Sequence, residues 1–407
     1  MLSRRTTITA LLGAAPAGWA NLRAGAADPI RIGTILSVSG PAAFLGQDMK
    51  DGAQLAVDEI NEAGGVGGRK IEWIFYDAQS QTQQAIAETR RLLSNDGVEM
   101  IVGGGNMSGI ALAIAPIAEA AKVPFVSTEG ASAIVNPVAD HHWTFKSTVD
   151  DYLVLQRAAD YFDKKGLKKI ALLADTSGFG QGATEQLKIV AKERNLDAIF
   201  ESFAPSDTDL IPQLSRIRDA GAQVILCWTV TPAGVVFLKQ AQQLGLDEKL
   251  TFIHSYGFVT GKYMELAGSA AAKLLLLSQK FVVGDQLPDS DPVKPKIAAL
   301  TESFKRRFNR TPNQFVAQTY DAVYLAKRPL EWRLRPRKGS RSLREHSRLS
   351  VRQRHLFVLA RASFRSRQKQ YRACQLGEWP VQSRRLCVND LRASRAQDQE
   401  AQPPRTR

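Results

Sequence analysis

The sequence is poor in cysteine, and it contains no long apolar run. Only three of its 407 residues are cysteine, and two of these, Cys374 and Cys387, lie in the last 80 residues. A single cysteine, Cys227, remains for the first 327 residues, which excludes an internal disulfide there. Cys227 closes an apolar run, so we expect a small buried side chain and not a catalytic thiol. No apolar stretch reaches the ~18 residues of a membrane-spanning helix.

An excess of one charge is also absent from most of the chain, although the net charge is +14 and the isoelectric point about 9.7. Residues 328–407 hold 21 of the 54 basic residues and 6 of the 40 acidic residues. The first 327 residues therefore have 33 basic and 34 acidic residues and are electrically balanced. Because the positive charge belongs to the tail, it does not predict a nucleic-acid partner.

The first residues have the order of charge and polarity of a secretory signal peptide. Arg4 and Arg5 precede a mostly apolar stretch, and Ala24-Gly-Ala26 provides a small-residue cleavage site. We expect residues 1–26 to be removed during export and the mature protein to work in the periplasm. The arginine pair leaves both general secretion and twin-arginine export open. No cysteine stands near the cleavage site, so a lipid anchor is not expected there.

Short β-branched runs alternate with amphipathic helical segments from residue 28 to residue 253. One series has strands near 30–36, 70–76, 98–102 and 124–126, and a second has strands near 169–173, 198–203, 223–227 and 250–253. Strands separated by helices pair in parallel through right-handed crossovers. The sequence therefore predicts an α/β protein with two doubly wound parallel-sheet domains.

The carboxyl ends of the predicted strands are the places to look for a ligand site. One of these ends, residues 103–109, brings small residues and the hydroxyl of Ser108 to the start of a helix. Backbone N–H groups and the helix dipole favour an anion there. Ser108 therefore either caps the helix or donates to a ligand carboxylate. The segment lacks the Gly-Lys-Ser/Thr ending of a phosphate loop.

Motifs for catalysis and metal binding are absent from the same part of the chain. His141 and His142 have no third ligand at metal spacing, and no Gly-x-Ser-x-Gly elbow occurs. Asp150 and Asp151 are interpreted as the acidic start of a helix. We therefore expect no enzymatic activity, no cofactor and no metal. An exported two-domain α/β protein of this kind is best interpreted as a binder that closes around a ligand.

Motifs spread in order along residues 28–327 carry a family resemblance. They include Ser39-Gly-Pro41, the segment 46–56, the glycine cluster 64–68, Tyr76-Asp77 and the segment 314–324. Together they resemble the type I periplasmic binding proteins, in particular the branched-chain amino-acid-binding (leucine-binding-protein-like) branch of ABC importers.

The resemblance implies a clamshell of two lobes joined by a hinge, with the ligand in the cleft. Residues 28–147 and 281–327 would form the first ligand-binding lobe, and residues 148–280 the second. The implied function is that of an extracytoplasmic solute-binding subunit, which delivers a small ligand to the membrane permease of an ABC importer. The alternative is a sensory ligand-binding protein of the same fold, which signals to a membrane receptor.

The family's pocket positions can be transferred to this sequence one at a time. The resemblance places a backbone-and-hydroxyl carboxylate site at Met107 and Ser108, and an aromatic wall from the second lobe at Phe179. The second half of the carboxylate site falls on Glu129, Gly130 and Ala131, with Ser132 as a neighbouring candidate.

Three positions depart from the amino-acid binders of the family. Tyr256 stands where those proteins have the acid that accepts the ligand's ammonium group, and Leu45 and Val230 stand where they have pocket tyrosines. An ammonium group buried without an anion is costly. The pattern therefore favours an apolar or aromatic carboxylate as ligand. Branched-chain amino acids are the alternative ligand class if Glu129 substitutes for the missing acid.

Residues 328–407 form an atypical tail. Arginine supplies 19 of its 21 basic residues, and no helical or alternating pattern persists there for long. An excess of Arg, Ser, Ala, Pro and Leu is what a GC-rich gene yields when it is read out of frame, so we interpret the tail as frameshifted. A basic arm and a separately folded extension are the alternatives. We expect a frameshifted tail to pack poorly and to leave the second lobe without its last elements.

Overall fold

The part of the chain that the structure describes forms two sheets flanked by helices. This computed structural model describes residues 28–334 and 358–361. The predicted signal peptide, residues 1–26, lies outside the described residues.

The first sheet has five parallel strands. They are β1 (Ile30–Leu36), β2 (Ile71–Asp77), β3 (Met100–Gly103), β4 (Phe125–Ser127) and β5 (Thr144–Lys146), in the order β2-β1-β3-β4-β5. The crossovers between the first four strands are the helices α1 (Ala43–Glu62), α2 (Thr82–Ser94) and α3 (Ser108–Ala121). The strand order reverses between β1 and β3, which is where ligands bind in open sheets.

The second sheet repeats this topology. Its strands are β6 (Lys169–Asp175), β7 (Asp197–Phe203), β8 (Val224–Trp228), β9 (Thr251–His254) and β10 (Leu275–Ser278). Its helices are α4 (Asp151–Lys165), α5 (Gly178–Arg194), α6 (Ile211–Asp219), α7 (Ala233–Gln243) and α8 (Gly261–Ala267). These five strands are parallel in the order β10-β9-β8-β6-β7, so the order reverses between β6 and β8. The predicted fold class, with two doubly wound lobes, is confirmed.

After β10 the chain returns to the first sheet. It forms α9 (Lys294–Phe308) and α10 (Gln314–Leu334). A side chain on Gly52 of α1 would begin 2.3 Å from the backbone oxygen of Val316, so α1 and α10 cross in backbone contact at this glycine. Phe304 of α9 is fully buried between the same two helices. Residues 294–330 therefore pack on the first lobe.

Two segments of the described chain cross between the sheets, and α10 binds both. The first crossing follows β5 and contains Thr148, and the second follows β10 and contains Gln279. Gln318 Nε2 and Gln279 Nε2 both donate to Thr148 Oγ1, at 3.0 and 3.2 Å. The backbone N–H of Gln279 donates to Gln314 Oε1 at 3.3 Å. These side-chain amides tie the hinge to the first lobe.

The start of the arginine-rich tail differs from our expectation. Helix α10 continues past Arg328 to Leu334, because Leu330 extends the apolar stripe of Val323 and Ala326 into the first-lobe core. A further strand, β11 (Val358–Arg361), pairs antiparallel with β10 at the edge of the second sheet. The second lobe thus receives a strand from the tail. The rest of the tail lies outside the described residues, and its poor packing stays a prediction.

The inner strands β6, β8 and β9 of the second sheet are buried on both faces, as expected for a sheet between two helix layers, whereas the edge strand β7 is partly exposed. All of β8, including Cys227, is buried. Burial raises the pKa of the Cys227 thiol well above its usual range, so the thiol stays protonated. The expectation of a small buried side chain is confirmed. Among residues 28–334 and 358–361, no helix combines the length and hydrophobicity needed to span a bilayer.

Candidate ligand-binding site

A cavity lies between the carboxyl ends of the two sheets. It is lined by Leu45, Met49, Asn106, Ser108, Thr128, Glu129 and Gly130 of the first lobe, by Phe179, Val230, Tyr256 and Gly257 of the second, and by Phe315 and Gln318 of α10. The empty space among these residues, including its opening to solvent, is about 400 Å³. Seven of the ten predicted site residues line this cavity, and Met107, Ala131 and Ser132 do not.

Ser108 is the first residue of α3 and not its cap. Met107 occupies the cap position, and its side chain makes no capping hydrogen bond. Ser108 Oγ instead accepts a hydrogen bond from the N–H of Ala131 at 3.2 Å. A hydroxyl that accepts can still donate its own proton. The N–H groups of Ser108 and Gly109 precede the first intrahelical hydrogen bond, that of Ile110, so this corner can serve an anion.

Glu129 is folded back into its own loop. Its Oε2 accepts from Ser127 Oγ at 2.6 Å and from the N–H of Thr128 at 2.9 Å, and its Oε1 accepts from Thr128 Oγ1 at 2.7 Å. Burial raises the pKa of the Glu129 carboxyl, against these hydrogen bonds. Both oxygens therefore already accept hydrogen bonds from the loop, although the residue borders the cavity.

The three predicted residues that do not line the cavity all belong to the first lobe, and they stabilise the structure around it. The hydroxyl of Ser132 accepts from Asn136 Nδ2 at 2.9 Å and starts a 3₁₀ turn. Met107 packs against the apolar core between β3 and α3. The N–H of Ala131, which the family resemblance assigned to the ligand, is directed to Ser108 Oγ.

Phe179 and Val230 are held in place by a buried carboxylate at the end of β6. Asp175 accepts from the hydroxyl and the N–H of Ser177, and Ser177 Oγ caps α5 by accepting from the N–H of Phe179 at 3.3 Å. The other oxygen of Asp175 accepts from Thr229 Oγ1 at 2.5 Å. Burial raises the pKa of Asp175. Asp175 thus joins the two loops that carry Phe179 and Val230.

Three aromatic rings of the second lobe pack against one another, and two of them, Phe179 and Tyr256, line the cavity. The ring centroids of Phe179 and Tyr256 are 5.4 Å apart at 89°, and those of Trp228 and Tyr256 are 5.9 Å apart at 85°. Edge-to-face contacts of this kind stabilise a fixed ring arrangement. Trp228 was missed as a site residue, because the sequence shows it only as the end of a buried strand.

Tyr256 brings the two lobes into contact. Within the second lobe its hydroxyl donates to Asp151 Oδ1 at 2.7 Å, and across the lobes its carbonyl accepts from Gln314 Nε2 of α10 at 2.6 Å. A Cβ on Gly130 would lie 1.6 Å from the hydroxyl oxygen of Tyr256, so only glycine allows this approach. Burial, with the negative charge of Asp151, raises the pKa of Tyr256, and the phenol remains a donor.

Asp151 was also missed, because its sequence context is that of a helix start. Burial raises its pKa from the ordinary 3.8 to about 7, although the positive charge of Lys146 opposes this change. Burial also lowers the pKa of Lys146, whose Nζ donates to Gly130 O at 2.6 Å and lies 3.6 Å from Asp150 Oδ2. A buried acid, a lysine and a tyrosine therefore meet at the lobe boundary.

The raised pKa of Asp151 predicts a pH dependence of stability. Between about pH 4 and pH 7 the folded protein keeps a proton that the unfolded chain has lost, so this contribution to stability falls as pH rises. Above about pH 7 both states have lost the proton and the contribution is constant. We expect Asp151→Asn to gain stability relative to the unchanged protein as pH rises through this window. Urea unfolding of both proteins at several pH values measures the difference, and a pH-independent difference would contradict the assignment.

Two parallel-sheet lobes, with a cavity between their strand ends, are the architecture of a two-lobe solute-binding protein. The chain belongs to the periplasmic binding protein family, because the family model described as "Periplasmic binding protein" matches residues 29–336. The motif resemblance is thereby confirmed. A curated relative is the leucine-, isoleucine-, valine-, threonine-, and alanine-binding protein of Pseudomonas aeruginosa. It is 28% identical over 315 residues, which cover 75% of this chain and 79% of that protein.

Solved structures share the fold. The branched-chain amino acid transporter substrate-binding protein LivJ from Streptococcus pneumoniae, in complex with isoleucine, has a TM-score of 0.64 and 25% identity. The match covers 75% of this chain and 87% of LivJ. An ABC transporter solute-binding protein from R. palustris, in complex with 4-hydroxybenzoate, has a TM-score of 0.63 and 23% identity over 75% of this chain and 81% of its own.

Proposed function

We propose that this chain is the periplasmic solute-binding subunit of a branched-chain-amino-acid-type ABC importer. It traps a small apolar or aromatic carboxylate between its two lobes. Family membership supports solute binding without catalysis, and the transporter proteins among the similar structures support delivery to a membrane permease.

The carboxylate end of the ligand would bind at the start of α3. The Ser108 hydroxyl keeps its proton for donation, and the N–H groups of Ser108 and Gly109 precede the first hydrogen bond of the same helix. The dipole of α3, a helix of 14 residues, adds to the attraction for a negative group. Closure of the lobes removes water from this corner and strengthens these hydrogen bonds.

The other end of the ligand would meet an apolar wall. Both lobes and α10 supply it, through Leu45, Met49, Phe179, Val230 and Phe315. Burial of an alkyl or aromatic group here contributes roughly 25 cal/mol for each Å² removed from water. A mostly apolar lining with a few convergent donors is typical of small-molecule sites.

Among the described residues that line the cavity, none offers a free carboxylate, and this observation carries the choice of ligand. Tyr256 stands at the family's acidic position, and its hydroxyl is a donor. The oxygens of Glu129 already accept three hydrogen bonds from its own loop. An ammonium group would therefore be buried without a free anion, which is costly. This weighs against Glu129 as a substitute acid and supports a carboxylate without an amino group.

Calorimetry with matched ligands tests this proposal. Leucine and 4-methylpentanoate differ only in the amino group, and phenylalanine and 3-phenylpropanoate form a second such pair. We expect each acid, and 4-hydroxybenzoate, to bind more tightly than the amino acids. Tighter binding of leucine than of 4-methylpentanoate would replace this ligand class with branched-chain amino acids. Absence of binding by all five compounds would refute both ligand classes.

In the importer the closed, ligand-bound protein would bind a membrane permease, whereas in the sensory alternative it would bind a membrane receptor. Uptake of a radiolabelled acid that binds in calorimetry distinguishes them. Loss of uptake in cells without this protein supports the importer, and unchanged uptake with a lost transcriptional response supports the sensor.

A further inference from the structure

Asp151 stands out among the buried groups that do not line the cavity. It begins α4, and its side chain is completely buried. Its Oδ1 accepts the Tyr256 hydroxyl at 2.7 Å, whereas its Oδ2 has no hydrogen-bond partner among the described residues. A buried acceptor oxygen without a donor is destabilising and is available to any donor that reaches it.

Tyr256 separates this carboxylate from the cavity. The tyrosine borders the cavity and Asp151 does not. On the side of α5, a Cβ on Gly182 would lie 3.3 Å from Asp151 Oδ2 and also 3.3 Å from the Cβ of Ala131. The carboxylate is therefore enclosed by α5, by the loop of Ala131 and by the phenol of Tyr256. In this arrangement of the lobes, a ligand in the cavity reaches the carboxylate only by displacing the phenol.

The charged groups around Asp151 leave this arrangement intact. Lys146 of β5 attracts Asp151 electrostatically, but its Nζ donates to the carbonyls of Gly130 and Ala131. Asp150 on the same helix adds negative charge, and its Oδ1 accepts from the N–H of Tyr152. The phenol of Tyr256 is thus the hydrogen-bond donor that Asp151 has in this structure.

We propose that Asp151 is a positioning residue for ligand selection. It holds the Tyr256 hydroxyl over Gly130, so that the protein's own phenol occupies the buried carboxylate that a ligand's ammonium group would otherwise use. The inference rests on the proposed function, since it explains how the site prefers acids to amino acids. An amino acid gains this acceptor only by breaking the Tyr256–Asp151 hydrogen bond and by moving the ring away from Phe179 and Trp228.

The experiment compares the dissociation constants of leucine and 4-methylpentanoate in the full chain and its variants. Tyr256→Ala removes the ring that separates Asp151 from the cavity. We expect this change to shift the ratio of the two dissociation constants in favour of leucine by about tenfold to a hundredfold, which is the effect of one hydrogen bond to a charged group. Adding Asp151→Asn to this variant should remove the gain. Tyr152→Phe is the matched control, because it removes a similar tyrosine–carboxylate hydrogen bond, 2.9 Å to Glu193, outside the cavity.

Three outcomes are decisive. A gain for leucine that Asp151→Asn removes supports the proposal, because a purely structural role of Asp151 would weaken both ligands alike. An unchanged ratio in Tyr256→Ala overturns the proposal, and so does a gain for leucine that persists after Asp151→Asn is added. In either case the proposed function stands, because it depends on binding of 4-methylpentanoate by the unchanged protein. Tighter binding of leucine by the unchanged protein overturns the proposed ligand class itself. If Tyr256→Ala does not fold, Tyr256→Val removes both the donor and the ring and keeps an apolar side chain, and an unchanged ratio there overturns the proposal.

Discussion

Gly130→Ala is expected to weaken binding of 4-methylpentanoate by on the order of a hundredfold, while the protein remains folded. The added Cβ would lie 1.6 Å from the hydroxyl oxygen of Tyr256, 2.6 Å from its Cζ and 3.1 Å from Cε2 of Phe179. The tyrosine cannot give way cheaply, because Asp151 holds its hydroxyl and Gln314 holds its backbone. The methyl group would therefore keep the two lobes apart at the point where they must meet.

Small-angle scattering and calorimetry together check this expectation. Gly182→Ala is the matched control, since its added Cβ has no neighbour closer than 3.3 Å and should cost much less. Combining Gly130→Ala with Tyr256→Ala removes the obstructing ring, so the double variant should close again and bind more tightly than Gly130→Ala alone. Unchanged affinity in Gly130→Ala would show that the lobes do not close in this arrangement.

Ser108→Ala is expected to weaken the same acid by about tenfold to a hundredfold, the effect of losing a hydrogen bond to a charged group worth ~1.5–3 kcal/mol. The substitution removes the donor for the carboxylate and also leaves the N–H of Ala131 without its acceptor. The backbone donors of α3 remain, so binding should be reduced and not abolished.

Ser132→Ala separates this effect from a general loss of polarity in the loop. Ser132 is buried nearby, but its hydroxyl bonds to Asn136 and does not line the cavity. We expect nearly unchanged affinity for Ser132→Ala in the same calorimetric titration. Equal losses in the two variants would remove Ser108 from its proposed role.

Local patterns in the sequence predict most of the fold. The strand pattern at 30–36 coincides with β1 in the structure, because the run is rich in β-branched residues and six of its seven residues are buried. The three-residue strand β5 and the four-residue strand β10 carry too little pattern of their own and form by pairing with their neighbours. Helix α5 starts at Gly178, directly after the strand-end loop, because Ser177 caps it.

The candidate site is predictable only in part. Ser108 and Phe179 follow from their positions at helix starts near strand ends and from the family resemblance. Asp151 and Trp228 do not, because their roles depend on contacts with Tyr256, which lies 105 residues from Asp151 along the chain. Side chains that meet from distant points of the chain leave no local spacing in the sequence, so packing alone reveals them.

Trp228 gives the second lobe an optical signal of its own. Its indole is shielded from solvent and lies edge-on to Tyr256, next to Phe179. Indole emission responds to the polarity and to the movement of the groups around the ring. A ligand that displaces Tyr256 would therefore change the emission of Trp228, whereas Trp73, hydrogen-bonded to Thr34 in the first sheet, provides a steady background. The two ligand classes could thus be distinguished by fluorescence, without a label.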